Sequence, residues 1–238
     1  MTWSIIARDA GTGRFGIAVA TRSFAVGARV PFIASGIGAI ATQALVNSFC
    51  GTNGLRLLRD GVPADEVVRR LIAADAGSDH RQFHVMDAQG RTAAHTGSAC
   101  IDCCGHDAGE SFSVAGNMLA GPRVLDDTAR AYAAGVCLPF PRRLIAAMRA
   151  GEAAGGDKRG RQSAAMLIHG EEEWADLDLR VDDHTDPLAE LERLETVSRQ
   201  RQVHFNRFLP CRRDPVGVTD RAMIEAGIAA AVAAEGEA

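Results

Sequence analysis

Strands and helices come in neighbouring pairs along this chain, and that grouping restricts its fold more than any other feature of the sequence. Residues 2–8 and 15–21 read as strands joined by the turn-rich Asp9-Ala10-Gly11-Thr12-Gly13, which predicts a hairpin. Residues 30–34 and 38–42 flank Ser35-Gly36 and predict a second one; their Ala and Gly content suits a sheet held closely between other layers. Two helices are expected next. The first is capped by Thr52 and ends near Gly61, and the second is opened by Pro63, carries Val67, Val68, Leu71 and Ile72 at helical spacing, and stops at Gly77. Strands return over 82–87 and 91–96, followed by a polar loop over 97–110 and a short strand over 111–114 that leads to Gly116-Asn117. A helix pair over 124–134 and 139–150, a strand pair over 162–168 and 176–182, and helices opening at Asp186 and Thr219 complete the chain. Alternating βαβ units would signal a parallel sheet, whereas this grouping predicts an α+β layered sandwich.

The hairpin also disposes of a motif. Gly11-x-Gly13-x-x-Gly16 spells a dinucleotide fingerprint, but that fingerprint needs a helix after its glycines, and here a strand follows. With 238 residues, a net charge of −4 and no long basic run, the chain can bury a large core and is not built for nucleic acid. No run of about 18 apolar residues could span a bilayer, and no basic segment precedes an apolar one at the start, so a cytoplasmic location is expected. The six cysteines are too sparse for a disulfide framework and are expected to be reduced thiols.

Chemistry is concentrated first at Thr2. If Met1 is removed, Thr2 carries a hydroxyl and a free α-amine on one residue, and an amine of nearly neutral strength can take the hydroxyl proton. The predicted strand starts at once, which fixes that terminus in the sheet. Asn117, following Gly116, is a candidate to stabilise an oxyanion through its amide or a nearby backbone N–H.

Residues 1–9, Gly16-Ile17-Ala18-Val19-Ala20-Thr21, Ala25-Val26-Gly27-Ala28, Ala41-Thr42-Gln43-Ala44, Gly116-Asn117-Met118-Leu119-Ala120-Gly121, the stretch 154–165 and Asp178-Leu179-Arg180-Val181-Asp182-Asp183-His184 resemble the bacterial family catalogued as domain of unknown function 1028. The resemblance covers about residues 2–195. It implies the fold of the N-terminal nucleophile (Ntn) hydrolases, a four-layer αββα sandwich of two antiparallel sheets, and hence an Ntn-hydrolase-like domain over 1–205 with a one-helix tail over 206–238. It also implies hydrolysis of a C–N bond of amide type in a small molecule, with Thr2 as nucleophile, and supplies no substrate.

Around these two residues the expected substrate-binding set is Arg22 and Ser23 at the end of the second strand, Gln43, the loop residues Asp157, Arg159 and Gln162, and Arg180, Asp182 and His184. An arginine among them could hold a substrate carboxylate with two parallel donors. A row of alternating charges such as Arg180 and Asp182 is otherwise a surface ion pair. Related enzymes use a lysine to tune the nucleophile's amine, and neither Lys158 nor Arg22 matches that position. Cys100, Cys103, Cys104 and His106 have the chemistry of zinc ligands, but no second pair follows at finger spacing; no metal and no cofactor are expected. His84 and His95 are read as core or surface histidines of a strand pair. A non-catalytic ligand-binding protein on the same fold is the alternative. So is an assembly subunit, since the stripe Ile224, Ile228 and Val232 on the last helix suits burial against another copy of the chain and predicts a homo-oligomer.

Overall fold

In the computed structural model, which describes residues 2–236, β1 (Thr2–Arg8) lies at the centre of a six-stranded antiparallel sheet. The sequence-adjacent β2 (Phe15–Thr21) pairs with it on one side, with Trp3 opposite Ala20 and Arg8 opposite Phe15, as the predicted hairpin requires. On the other side runs β8 (Phe112–Asn117), with Thr2 opposite Asn117. The sheet is completed by β9 (Ser163–His169) and β10 (Ala175–Val181) beyond β2, and by β7 (Gly105–Gly109) beyond β8. Both β1 and β2 are buried almost throughout, because layers cover both of their faces.

A second, four-stranded antiparallel sheet has the order β3 (Pro31–Ala34), β4 (Gly38–Ala44), β5 (Arg81–Asp87), β6 (Thr92–Thr96). The two sheets pack face to face. Helices α1 (Ser48–Arg59) and α2 (Ala64–Ala74) cover the outer face of the smaller sheet, and α3 (Arg123–Ala134) and α4 (Phe140–Ala153) cover that of the larger. The architecture is an αββα sandwich. Its cores alternate along β4: Ala39 and Ala41 face the larger sheet with Ile6, Ile17, Val19 and Met86, while Ile40 faces Leu58, Val67 and Leu71 of the helices. Small residues on β4 let two sheets and a helix layer approach closely.

Local departures from the sequence reading have local causes. Helix α1 begins before Thr52, because Asn47 accepts the Phe49 N–H at 3.0 Å and caps the first turn. Strand β7 lies inside the stretch expected to be a loop: Gly105, His106 and Asp107 pair with β8 although most of their residues are solvent-exposed. Such an edge strand carries no apolar alternation to reveal it.

The chain divides into two compact units, residues 1–191 and 192–238. Helix α5 (Pro187–Ser198) spans the division; α6 (Gln202–Phe205) and α7 (Arg221–Gly236) belong to the second unit, where Arg201 pairs with Glu225 at 2.6 Å. Ile224 and Ile228 are already covered within one chain, at 9% and 5% exposure, while Val232 remains 38% exposed. No helix among the described residues is long and apolar enough to cross a membrane.

Trp3 faces the opposite way from Thr2 and lies under α4, where Gly151 makes room for it. A Cβ at Gly151 would sit 2.9 Å from Trp3 Nε1 and even closer to Thr128 Oγ1. Thr128 already donates to the Val124 carbonyl at 2.6 Å, so neither neighbour can retreat freely. Gly151→Ala is expected to destabilise the protein by about 1–3 kcal/mol despite alanine's better helix propensity; urea unfolding of the two proteins measures it.

A polar seam and the candidate active site

Residues two apart on a strand share a face, so Thr2, Ser4 and Ile6 of β1 all look toward the smaller sheet. At the end of the larger sheet this produces a polar row across four strands: Ser163, Thr21, Thr2 and Asn117. Thr2 Oγ1 donates to Thr21 Oγ1 at 3.2 Å, and Thr2 is 7% exposed. Ser163 closes the row by donating to the Ser23 carbonyl at 2.5 Å and accepting the Val26 N–H at 3.1 Å.

The facing sheet supplies a matching row, Gln43, Gln82 and Thr96, paired in register. Gln43 Nε2 donates to Gln82 Oε1 at 2.9 Å, to the Ala115 carbonyl at 3.1 Å and, more weakly, to the Thr2 carbonyl at 3.4 Å. Gln82 Nε2 donates to Thr96 Oγ1 and to the Gly105 and Gly116 carbonyls, at 2.9, 3.0 and 2.8 Å. Asn117 Nδ2 also donates to Gln82 Oε1, at 2.9 Å. Because Gln82 Oε1 can only accept, this contact fixes which way the Asn117 amide is turned.

One layer deeper, Ser4 Oγ donates to Gln43 Oε1 at 2.8 Å and lies 3.0 Å from His84 Nε2, while His84 Nδ1 lies 3.0 Å from Ser113 Oγ. With the Ser4 proton committed to Gln43, His84 carries its proton on Nε2 and accepts from Ser113. His84 is fully buried, and desolvation, reinforced by the nearby charge of His106 and opposed by the Ser113 backbone, pushes its pKa down to about 3. It is therefore a neutral structural group.

Thr2, Thr21, Ser23 and Gln43 line a recess of about 110 Å³ with Ala25 and Ala44. Asn117 opens on a second recess with Met118 and, again, Ala44. Ala25, Ala44 and Met118 are non-glycine residues with φ of 53°, 69° and 57°, a left-handed conformation that costs about 1–3 kcal/mol each and concentrates at functional sites.

The remaining candidates fall beside this centre. Asp157, 5% exposed, accepts the Arg22 N–H at 2.7 Å and the Arg159 N–H at 2.8 Å and pairs with the Arg159 guanidinium at 3.1 Å; it anchors the 155–161 loop to the residue after Thr21. Arg180 is tied to Asp182 at 3.0 Å on the exposed face of β10. Arg22, Gln162, Asp183 and His184 instead line a polar cleft of about 410 Å³, where Gln162 bridges Arg22 at 3.3 Å and Asp183 at 3.1 Å. Lys158 Nζ reaches the Asp102 carbonyl at 2.9 Å. Cys100 Sγ and Cys104 Sγ contact backbone carbonyls, His106 Nδ1 lies 3.0 Å from Thr96 Oγ1, and no group of three metal-binding side chains gathers among the described residues.

Residues 2–191 match the family of unknown function DUF1028. The crystal structure of protein SPO2555 from Silicibacter pomeroyi, described as a member of the same family, is similar at 35% identity and a TM-score of 0.85, over 92% of this chain and 99% of that one. Anbu (ancestral beta-subunit) from Yersinia bercovieri aligns over 83% of this chain and 97% of its own, at 12% identity and a TM-score of 0.39. No curated protein matches the chain.

Buried neutral His84 makes stability depend on pH. Unfolded, it takes up a proton near pH 6.5; folded, it resists until about pH 3, so between these values the unfolded state holds more protons and stability falls as the pH is lowered. Between pH 7 and pH 5 this loss amounts to about 2 kcal/mol. Denaturant unfolding at the two pH values is expected to show a loss smaller by that amount in His84→Asn, whatever the variant's absolute stability.

Proposed function

The chain belongs to the DUF1028 family, and we propose that it is an N-terminal nucleophile hydrolase that cleaves the C–N bond of a small amide with Thr2. One observation carries this reading: the hydroxyl residue at position 2 is the first residue of a central strand, held in the sheet between Thr21 and Asn117, and its side chain borders a recess. Met1 lies outside the described residues. Its removal would leave the α-amine of Thr2 next to the hydroxyl it must activate.

The chemistry then uses few groups. The amine takes the Oγ1 proton as Oγ1 attacks the substrate carbonyl carbon, the C–N bond breaks with that proton passing to the leaving amine, and an ester to Thr2 remains. Water, deprotonated by the same amine, hydrolyses the ester, releases the acid and restores Thr2. Thr21 Oγ1 holds the nucleophile's hydroxyl and Gln43 approaches its carbonyl, which supports a fixed attack geometry. Asn117 has one amide hydrogen beyond the one it gives Gln82, and that hydrogen or a backbone N–H is our candidate oxyanion donor.

For a carboxylate on the substrate, Arg22 is favoured over Arg159 and Arg180. Each of the latter is committed to an aspartate, whereas the Arg22 guanidinium contacts neutral Gln162 in the polar cleft. Asp157 and Asp182 hold those arginines, and Ser23, Gln162 and His184 would border the bound ligand.

Intact mass of the purified protein is expected to be lower than the full translation product by one methionine. A screen of small amides is expected to yield turnover that falls about 10⁴-fold in Thr2→Ala and survives in part in Thr2→Ser. A retained Met1, or turnover indifferent to Thr2→Ala, would overturn the reading and leave a ligand-binding protein on this fold.

A further inference from the structure

Ala44 separates the Thr2 recess from its neighbour, a pocket of about 200 Å³ walled by Leu45, Ala99, Ile101 and Met118 and, on its more polar side, by Asn117, His80 and Cys100. Of the apolar walls, Leu45 and Ile101 stand at 62% and 54% exposure. Apolar area left in water costs about 25 cal/mol per Å², and a group that covered it would recover that. The volume is below the roughly 300–1,000 Å³ of a complete small-molecule site, so the pocket suits one compact branched group and not a whole ligand.

Asn117 supplies the buried polar group. It is 3% exposed, its Nδ2 is engaged by Gln82, and its Oδ1 accepts no hydrogen bond among the described residues. A carbonyl acceptor presented to the pocket, with no protein donor on it, favours an N–H donor on whatever enters. Asn117 is also the cross-strand partner of Thr2, which puts their Cβ atoms about 5 Å apart. A ligand seated here would therefore bring its amide to the edge of the Thr2 recess.

We propose that this pocket binds the branched aliphatic group of a carboxamide, with Asn117 Oδ1 accepting the amide N–H. Resting on the hydrolase reading, it is the subsite that selects the substrate, and the substrate class is an amide carrying a compact branched aliphatic group within a few bonds of the scissile C–N bond.

The test uses the full chain carrying Thr2→Ala, so that no turnover intervenes, with methionine methyls labelled with ¹³C. Isocaproamide is the probe and acetamide, which lacks the branched chain, is the control. The Met118 methyl signal, identified by its loss in Met118→Leu, is expected to shift saturably with isocaproamide, and at least about tenfold higher acetamide is required for the same effect. Ala99→Phe fills the exposed mouth, and Ile101→Asp makes it polar; each is expected to weaken isocaproamide by about tenfold or more with thermal unfolding unchanged. An unmoved Met118 signal, equal response to acetamide, or full binding in both mouth variants would overturn the subsite. Binding as expected with no hydrolysis of either amide by the Thr2 protein would leave the subsite standing and count against the hydrolase reading alone.

Discussion

The side-chain amide of Gln82 joins the two sheets, and the placement of Thr2 depends on it. Its oxygen receives one N–H from Gln43 of its own sheet and one from Asn117 of the other, and its nitrogen serves two carbonyls on β7 and β8. A buried amide left without partners costs about 1–3 kcal/mol per group, so these contacts are worth most as a condition on register. A one-residue slip of β1, β4, β5 or β8 would turn Ser4, Gln43, Gln82 or Asn117 to the wrong face and strand several donors at once. The apolar half of the same interface, built from Ile6, Ile17, Val19 and Met86, imposes no such discrimination, because hydrophobic contact is not directional.

The seam also explains why a strand terminus can be rigid. Strand ends fray unless something holds them. Here Thr2 is gripped through its hydroxyl by Thr21 and flanked by Asn117, and Thr21 is followed by Arg22, whose N–H is held by the buried carboxylate of Asp157. Left-handed Ala25, Ala44 and Met118 surround this point, and their strain is sustained by paired backbone on either side: Ala25 N–H bonds the Asp182 carbonyl and Met118 N–H the Ile101 carbonyl. The fold thus concentrates its directional bonds and its strain at one end.

Much of the architecture was legible in the order of elements. Hairpins 2–21 and 30–42 and, apart from the start of α1, the helix pairs fall where turn chemistry and apolar spacing put them, since those signals are local. The same local logic separated the Gly11-x-Gly13-x-x-Gly16 hairpin from a nucleotide fold. What the sequence concealed is long-range: Gln82 and His84 alternate with Phe83 and Val85, which announces two different faces of β5 but not that both faces are buried. Nothing near Gln43 in sequence indicates that it meets Gln82 thirty-nine residues on. The candidate set around Thr2 came from residue chemistry and family resemblance, and the structure divides it into Thr2, Ser23 and Gln43 at one recess, and Arg22, Gln162 and His184 at a polar cleft.

A polar seam of this size is an expensive way to join two sheets. Burying Gln, His, Ser and Asn yields little net stability even when every group is bonded, and an apolar packing of equal volume would hold at least as well. Hydrophobic contact, however, would tolerate small shifts between the sheets, and a nucleophile displaced by about 1 Å loses much of its rate. Directional bonds restrict that freedom. The neutrality of His84 fits the same purpose: a proton there would convert an acceptor into a donor facing Ser113 and disturb the chain Ser4–Gln43–Gln82–Asn117 along which both sheets are registered. The seam is accordingly better understood as a device that registers the two sheets than as a source of stability, and a fixed register is what the nucleophile proposed at Thr2 would require.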